Sequence, residues 1–171
     1  MSSLQPSRVP VENRSSQPST PRLGYLYSSP LVWRRPGSDA AELVEELDMD
    51  TERELLKDVL RTARRCVRFT ALPATGPNLS ETLSLGCRVI HFSAHGTVDA
   101  LLLEEHKHGV STGAGVLVPG VELLTDMVRA ERVSLVFVSA CHSELIGNIF
   151  AKAGVEHVVA IEKADKVCGG V

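Results

Sequence analysis

Short, β-prone apolar runs alternate with amphipathic helical segments along this chain, over links too long for hairpins. That alternation constrains the fold more than any other feature. Strands separated by helices build βαβ units, and their crossovers set neighbouring strands parallel. The first run is LGYLY from Leu23, closed by the turn-like Ser28-Ser29-Pro30. Thr51-Glu52-Arg53-Glu54 has the form of a capping box. The helix it opens is expected to bury Leu55, Leu56, Val59, Leu60 and Ala63. Arg61, Arg64 and Arg65 then fall near the C-terminus of that helix, where its dipole favours cations. CVRFTA from Cys66 reads as a strand, a short helix runs from Asn78 to Gly86, and Arg88–Ser93 is the next strand. A Gly-punctuated excursion from Gly96 to Gly120 precedes a helix over 121–130. Val133–Ser139 is the most apolar strand and is expected to be buried on both faces. A helix from Ser143 to Ala153 turns Leu145, Ile146, Ile149 and Phe150 inward, and His157–Ile161 is the last strand. The class is α/β, with a mainly parallel central sheet flanked by helices.

Residues 1–21, rich in Ser, Pro and Gln, are expected to form a disordered tail ahead of one domain over 22–171. The chain's 171 residues suit a single domain. No helix follows to cover the last strand before Lys166–Val171, which predicts that the domain continues past its C-terminal residue. Eighteen basic against twenty-one acidic residues give a net charge of −3, so no global field attracts nucleic acid or acidic lipid. Aromatic residues make up 4% of the chain, too few for a base-stacking platform. No apolar run reaches the roughly 18 residues of a membrane span. Of the four cysteines, Cys66, Cys87, Cys141 and Cys168, none forms a CxxC pair. The N-terminus lacks the apolar core of a secretory signal, so all four are expected as reduced thiols in a cytoplasmic protein. Its serines with Arg8 and Arg14 leave an organellar transit peptide open.

Sites in open parallel sheets form at the C-terminal ends of strands. RVIHFSAHG ends at His95-Gly96, and VSLVFVSACHSE ends at Cys141-His142. Cys141 lies between a strand and the first turn of a helix, where the helix N-terminus and a nearby imidazole both favour a thiolate. Glycine at position 96 lets backbone approach a substrate. The N–H groups of Gly96 and Cys141 are therefore candidates for an oxyanion hole. His95 precedes Cys141 by 46 residues, close to the roughly 50 given for caspase-type pairs.

HFSAHG followed by LVFVSACHSELIGNIFAKAGVEHVVAIE resembles a CHAT domain, a branch of the caspase-like cysteine peptidases that includes relatives of separase. The likeness extends upstream through LGYLYSSPLV, LDMDTERELLKDVL and ATGPNLSETL, from about Leu23 to Ile161. The resemblance implies a caspase-type α/β sandwich with a hairpin-bearing loop after the histidine. It also implies a cysteine endopeptidase with His95 as general base and Cys141 as nucleophile, needing no metal or organic cofactor. Protein or peptide substrates, limited proteolysis and neighbouring helical repeats follow from it as well. Two departures stand out. Metacaspases carry an acidic residue two positions before the cysteine, where this chain has Ser139, so their basic P1 specificity does not carry over. Family members also continue past the last strand with a helix and strand that shape the substrate pocket.

Blander readings stand beside these. Cys141 taken alone reads as a buried core thiol. A His91/His95 zinc pair would need Cys141 and His142 to converge on it without any ligand spacing. His91 reads instead as a packing residue, and His142 as a supporting residue pointing away from the nucleophile along extended backbone. Glu144 can face a substrate or act as a dipole-favoured first-turn acid. His106, Lys107 and His108, with Glu104 and Glu105, read as a solvated hairpin tip, and Gly113-Ala114-Gly115 lacks the phosphate-loop pattern. The alternatives to a peptidase are a catalytically silent signalling or scaffold module with the same fold, and a thiol hydrolase acting on a small ester or amide.

Overall fold

β1 (Arg22–Tyr27) sits inside a five-stranded sheet, hydrogen-bonded to β4 (Arg68–Pro73) on one side and β5 (Val89–Ser93) on the other. β5 pairs in turn with β9 (Leu135–Ser139), and β9 with the edge strand β10 (His157–Ala160). Every pairing in this sheet is parallel. The computed structural model describes residues 20–161, apart from 36, 39, 65, 109 and 124–132. The expected disordered tail, Arg65, Cys168 and the C-terminal residues thus lie outside the described residues, apart from two exposed positions at 20 and 21.

Alternation along parallel strands sorts side chains into two faces. One face carries Leu26, Ile90, Phe92, Val136 and Val138, all essentially inaccessible, with Val158 and Ala160 packed at its margin. Two helices cover it. α2 (Gly76–Ser84) starts at the Thr75 cap, whose hydroxyl accepts from the Asn78 N–H at 3.2 Å, and contributes Leu79. α3 (Glu144–Lys152) contributes Ile146 and Phe150. Gly147 lets α3 come down onto β10, because a Cβ there would meet that of Ala160 at 2.8 Å.

The other face, with Tyr25, His91, Ser93, Phe137 and Val159, is met among the described residues by one helix, α1 (Met49–Thr62). Three expectations change here. The capping residue is Asp48, not Thr51: its carboxylate accepts from the Thr51 N–H at 3.0 Å, so the helix starts three residues earlier. The inward line runs through Met49, which is buried, and Glu52, Leu56 and Leu60, which are half-buried, while Leu55, Val59 and Ala63 are exposed. Only the former line faces the sheet once Glu52 is tied to it. β9 is buried on one face only, since no described helix lies over Phe137, which is 37% exposed. Leu145 is likewise exposed on α3.

A second sheet has the order β3-β2-β8-β7-β6. β7 (Ala100–Lys107) and β8 (Val110–Pro119) form the hairpin implied by the family resemblance, with His108 in left-handed backbone at its tip. β2 (Val32–Arg34) and β3 (Ala41–Leu43) extend it, two short strands without a counterpart in the sequence reading. β6 (His95–Gly96) closes it by pairing with β7. Leu101 and Leu103 join the main core, and the buried Ser28 hydroxyl donates to the Leu102 carbonyl at 2.8 Å. Residues 120–123 are helical, and the rest of the helix expected over 121–130 lies outside the described residues.

Candidate functional site at adjacent strand ends

Ser93 and Ser139 are partners at the C-terminal ends of β5 and β9, and the Ala94 N–H donates to the Ser139 carbonyl at 3.2 Å. The two chains leave the sheet side by side, carrying His95-Gly96 on one and Ala140-Cys141 on the other. A Cβ at position 96 would collide with the Cys141 carbonyl oxygen, so glycine there is required by close approach between the two segments. Both candidate residues are half-buried.

The imidazole of His95 has a defined partner. Its Nε2 lies 2.7 Å from the carbonyl oxygen of Glu45, in the segment leading into α1. A carbonyl only accepts, so Nε2 carries the proton and a neutral His95 keeps its lone pair on Nδ1. Sequence reasoning missed Glu45 because its contribution is a backbone group that any residue supplies.

Cys141 begins a turn of three residues between β9 and α3. His142 is exposed and adopts φ of +55°, a left-handed conformation that costs a non-glycine residue energy. The expectation of extended backbone at His142 is therefore corrected: the chain reverses sharply here. Ser143, which the sequence reading used only to begin a helix, is completely buried. Its hydroxyl donates to the Val138 carbonyl at 3.3 Å and accepts from the Ile161 N–H at 3.0 Å, tying the turn to β9 and to the end of β10. Glu144 is an exposed first-turn acid of α3, and Ser139 is half-buried at the end of β9. Cys141 is disulfide-bonded, whereas Cys66 and Cys87 are free thiols. The expectation of four reduced cysteines, argued from compartment alone, is corrected for Cys141.

A buried polar cluster lies just behind His95. Glu52 Oε2 accepts from the Tyr25 hydroxyl at 2.9 Å and from the Ser93 hydroxyl. His91 Nε2 sits 3.2 Å from Glu52 Oε1, close enough for an electrostatic contact but misaligned for a hydrogen bond. The His91 ring packs edge-on against Tyr25 and lies 4.6 Å from the Phe137 ring, as expected of a packing residue. Burial opposes ionisation of Glu52, yet the contacts from His91, Ser93 and Tyr25 outweigh it and hold the carboxyl below its ordinary range. Burial and the adjacent carboxylate push the Tyr25 phenol far up.

A depressed carboxyl has a definite consequence for acid stability. Unfolded Glu52 binds its proton at higher pH than folded Glu52 does. Its contribution is complete above the unfolded value of about 4.3 and is lost as pH falls through the lower folded value. Urea melts at pH 7, 5 and 3.5 are expected to show stability dropping only in the most acidic step. Glu52→Gln should flatten that drop, and an unchanged acid slope in the variant would count against the assignment.

Below the Glu45 segment is an open cavity of about 530 Å³, with Glu46, Asp48, Asp50 and Glu104 among its lining residues and, among the described residues, no basic side chain. Among the described residues, no group of three or more His, Cys, Asp or Glu is placed to hold a metal ion. Nor is any described helix long and apolar enough to cross a membrane. Compared with known proteins, the family model of the CHAT domain matches residues 2–162. No curated protein matches the chain.

Proposed function

The chain belongs to the CHAT domain family, and on that premise we propose that it is a cysteine-type endopeptidase domain acting in regulated, limited proteolysis of protein substrates in the cytoplasm. The observation that carries the reading is the Nε2–H of His95 donated to the Glu45 carbonyl. It leaves Nδ1 as a proton acceptor on the strand end beside Cys141. In the proposed reaction the reduced Cys141 thiol passes its proton to His95 and the thiolate attacks the scissile carbonyl carbon. The amides of Gly96 and Cys141 hold the resulting oxyanion. Collapse breaks the C–N bond, His95 returns the proton to the leaving amine, and water hydrolyses the thioester. The N-terminus of α3, two residues on from Cys141, adds a field that favours the thiolate.

The test is site-mapped iodoacetamide alkylation across pH after reduction of the protein. The expected midpoint for Cys141 lies well below the free-thiol value of about 8.5 and rises when His95 is replaced by alanine. Exposed Cys66 serves as the ordinary reference, and Cys87, whose burial pushes its thiol up, as the unreactive one. A Cys141 that reacts like Cys66 and ignores His95 would sink the reading. The alternative is a catalytically silent scaffold module with the same fold, in which Cys141 serves a structural disulfide rather than chemistry. That reading predicts no turnover even after reduction.

A further inference from the structure

We infer that Glu52 is a positioning residue for the candidate base His95, acting through the cluster it gathers behind β5. The inference rests on the dyad reading and adds a component to it.

The imidazole and its acceptor reach the site by separate routes. His95 follows β5 by two residues, whereas the Glu45 carbonyl belongs to the segment that enters α1. Nothing in the His95–Glu45 contact itself fixes those two routes relative to one another. Glu52 does. It stands in the first turn of α1, and one of its carboxylate oxygens takes hydrogen bonds from Tyr25 in the central strand β1 and from Ser93 at the very end of β5. Its other oxygen meets His91, the next inward-facing residue of the same strand. Tyr25, His91 and Ser93 are all buried. The carboxylate therefore clamps the start of α1, and with it the segment carrying Glu45, onto the strand that delivers His95.

A second tie limits what the segment can do alone. The Leu47 N–H donates to the Ser29 hydroxyl at 3.2 Å, so the segment is held at one side by β1's outgoing turn and at the other by Glu52. The Val44 N–H likewise donates to the Leu31 carbonyl at 3.1 Å, so both remaining ties of this segment run to the connection after β1. With the Glu52 end released its direct tie to β5 is lost, and the 2.7 Å contact to Nε2 is free to open. The imidazole then loses the contact that, among the described residues, keeps its proton on Nε2 rather than Nδ1.

The readout is the tautomer of His95. Long-range ¹H–¹⁵N correlation spectra of the intact chain, with the ring assigned by a His95→Gln variant, are expected to show a single Nε2–H form in the native protein. In Glu52→Leu neither hydroxyl keeps its acceptor, whereas a glutamine oxygen could still take both, and the His95 signals of Glu52→Leu are expected to move to an average of both tautomers. Tyr25→Phe and Ser93→Ala each remove one donor and should produce smaller shifts in the same direction. Ile146→Val, which trims the opposite face of the sheet, should lower the melting temperature and leave the His95 ring unchanged. If Glu52→Leu fails to fold, the two single-donor variants decide. A folded Glu52→Leu with native His95 signals overturns the inference. So do native signals in both single-donor variants, or a native protein whose His95 is already tautomer-averaged. No turnover enters this measurement, so a tautomer that responds to Glu52 beside a Cys141 that ignores His95 would defeat the peptidase reading alone.

Discussion

Replacing His95 by alanine is expected to cut peptide turnover by the reduced protein about 10²- to 10⁴-fold, the usual worth of a positioned general base. Cys141→Ala should reduce it to the uncatalysed background, because no other group can form the covalent intermediate. The double variant should be no worse than Cys141→Ala, since residues that act as a unit are not additive. Both positions are half-buried rather than in the core, so the melting temperature of the reduced protein should hold in each. The measurement is kcat/KM on a panel of extended peptides and small esters, with melting curves alongside. Equal turnover on esters and long peptides would favour a small-molecule thiol hydrolase. Turnover surviving in Cys141→Ala would remove the cysteine from the reaction.

The largest effect on stability is expected at Phe150. Its ring is fully buried between α3 and the sheet, stacked 6.3 Å from Phe92 with the planes nearly parallel. Phe150→Ala removes a large apolar side chain and leaves a cavity that Ile146, Val136 and Val138 are too constrained to fill. Such changes cost about 3–5 kcal/mol, enough to consume a large part of a domain's stability. Leu55→Ala is the contrasting case. Leucine looks like core in the sequence, but Leu55 is 60% exposed on α1, and truncation there should stay within about 0.5 kcal/mol. Urea denaturation read by far-UV circular dichroism separates the two, and a Leu55→Ala loss comparable with that of Phe150→Ala would mean that α1 is docked on the wrong face.

That contrast shows where sequence patterning reaches and where it stops. Alternating strands and helices prescribe the parallel sheet, and the strands expected at Leu23, Arg88, Val133 and His157 all form within a residue or two of their expected starts. The rotation of α1 was not legible. Its leucines and valine supply two overlapping apolar stripes, and the choice between them is made by a polar residue, Glu52, whose partners lie on β1 and β5. The apolar character of β9 suggested burial on both faces, yet hydrophobicity alone does not say whether a helix is present to cover each one. β2 and β3 span three residues each, too short for a period of two to register. The placement of His95 and Cys141 at the C-terminal ends of strands was legible, because sites in open parallel sheets form there, whereas the direct pairing of β5 with β9 comes from the structure. The left-handed turn at His142 and the carbonyl of Glu45 were not, because neither depends on the identity of the side chain concerned.

The order of strands also dictates a schedule for folding. The central strand β1 is the first to leave the ribosome, but Arg22 must wait for Arg68 and Leu23 for Val89 before either has a partner. β5 then waits for the whole β7–β8 hairpin to pass before β9 arrives. Local pairing is confined to the second sheet, where the hairpin closes on itself. Such non-local parallel pairing carries its loop-closure cost before any contact repays it. The peripheral hairpin is thus able to form early, while the strand ends carrying His95 and Cys141 come together among the last events of folding.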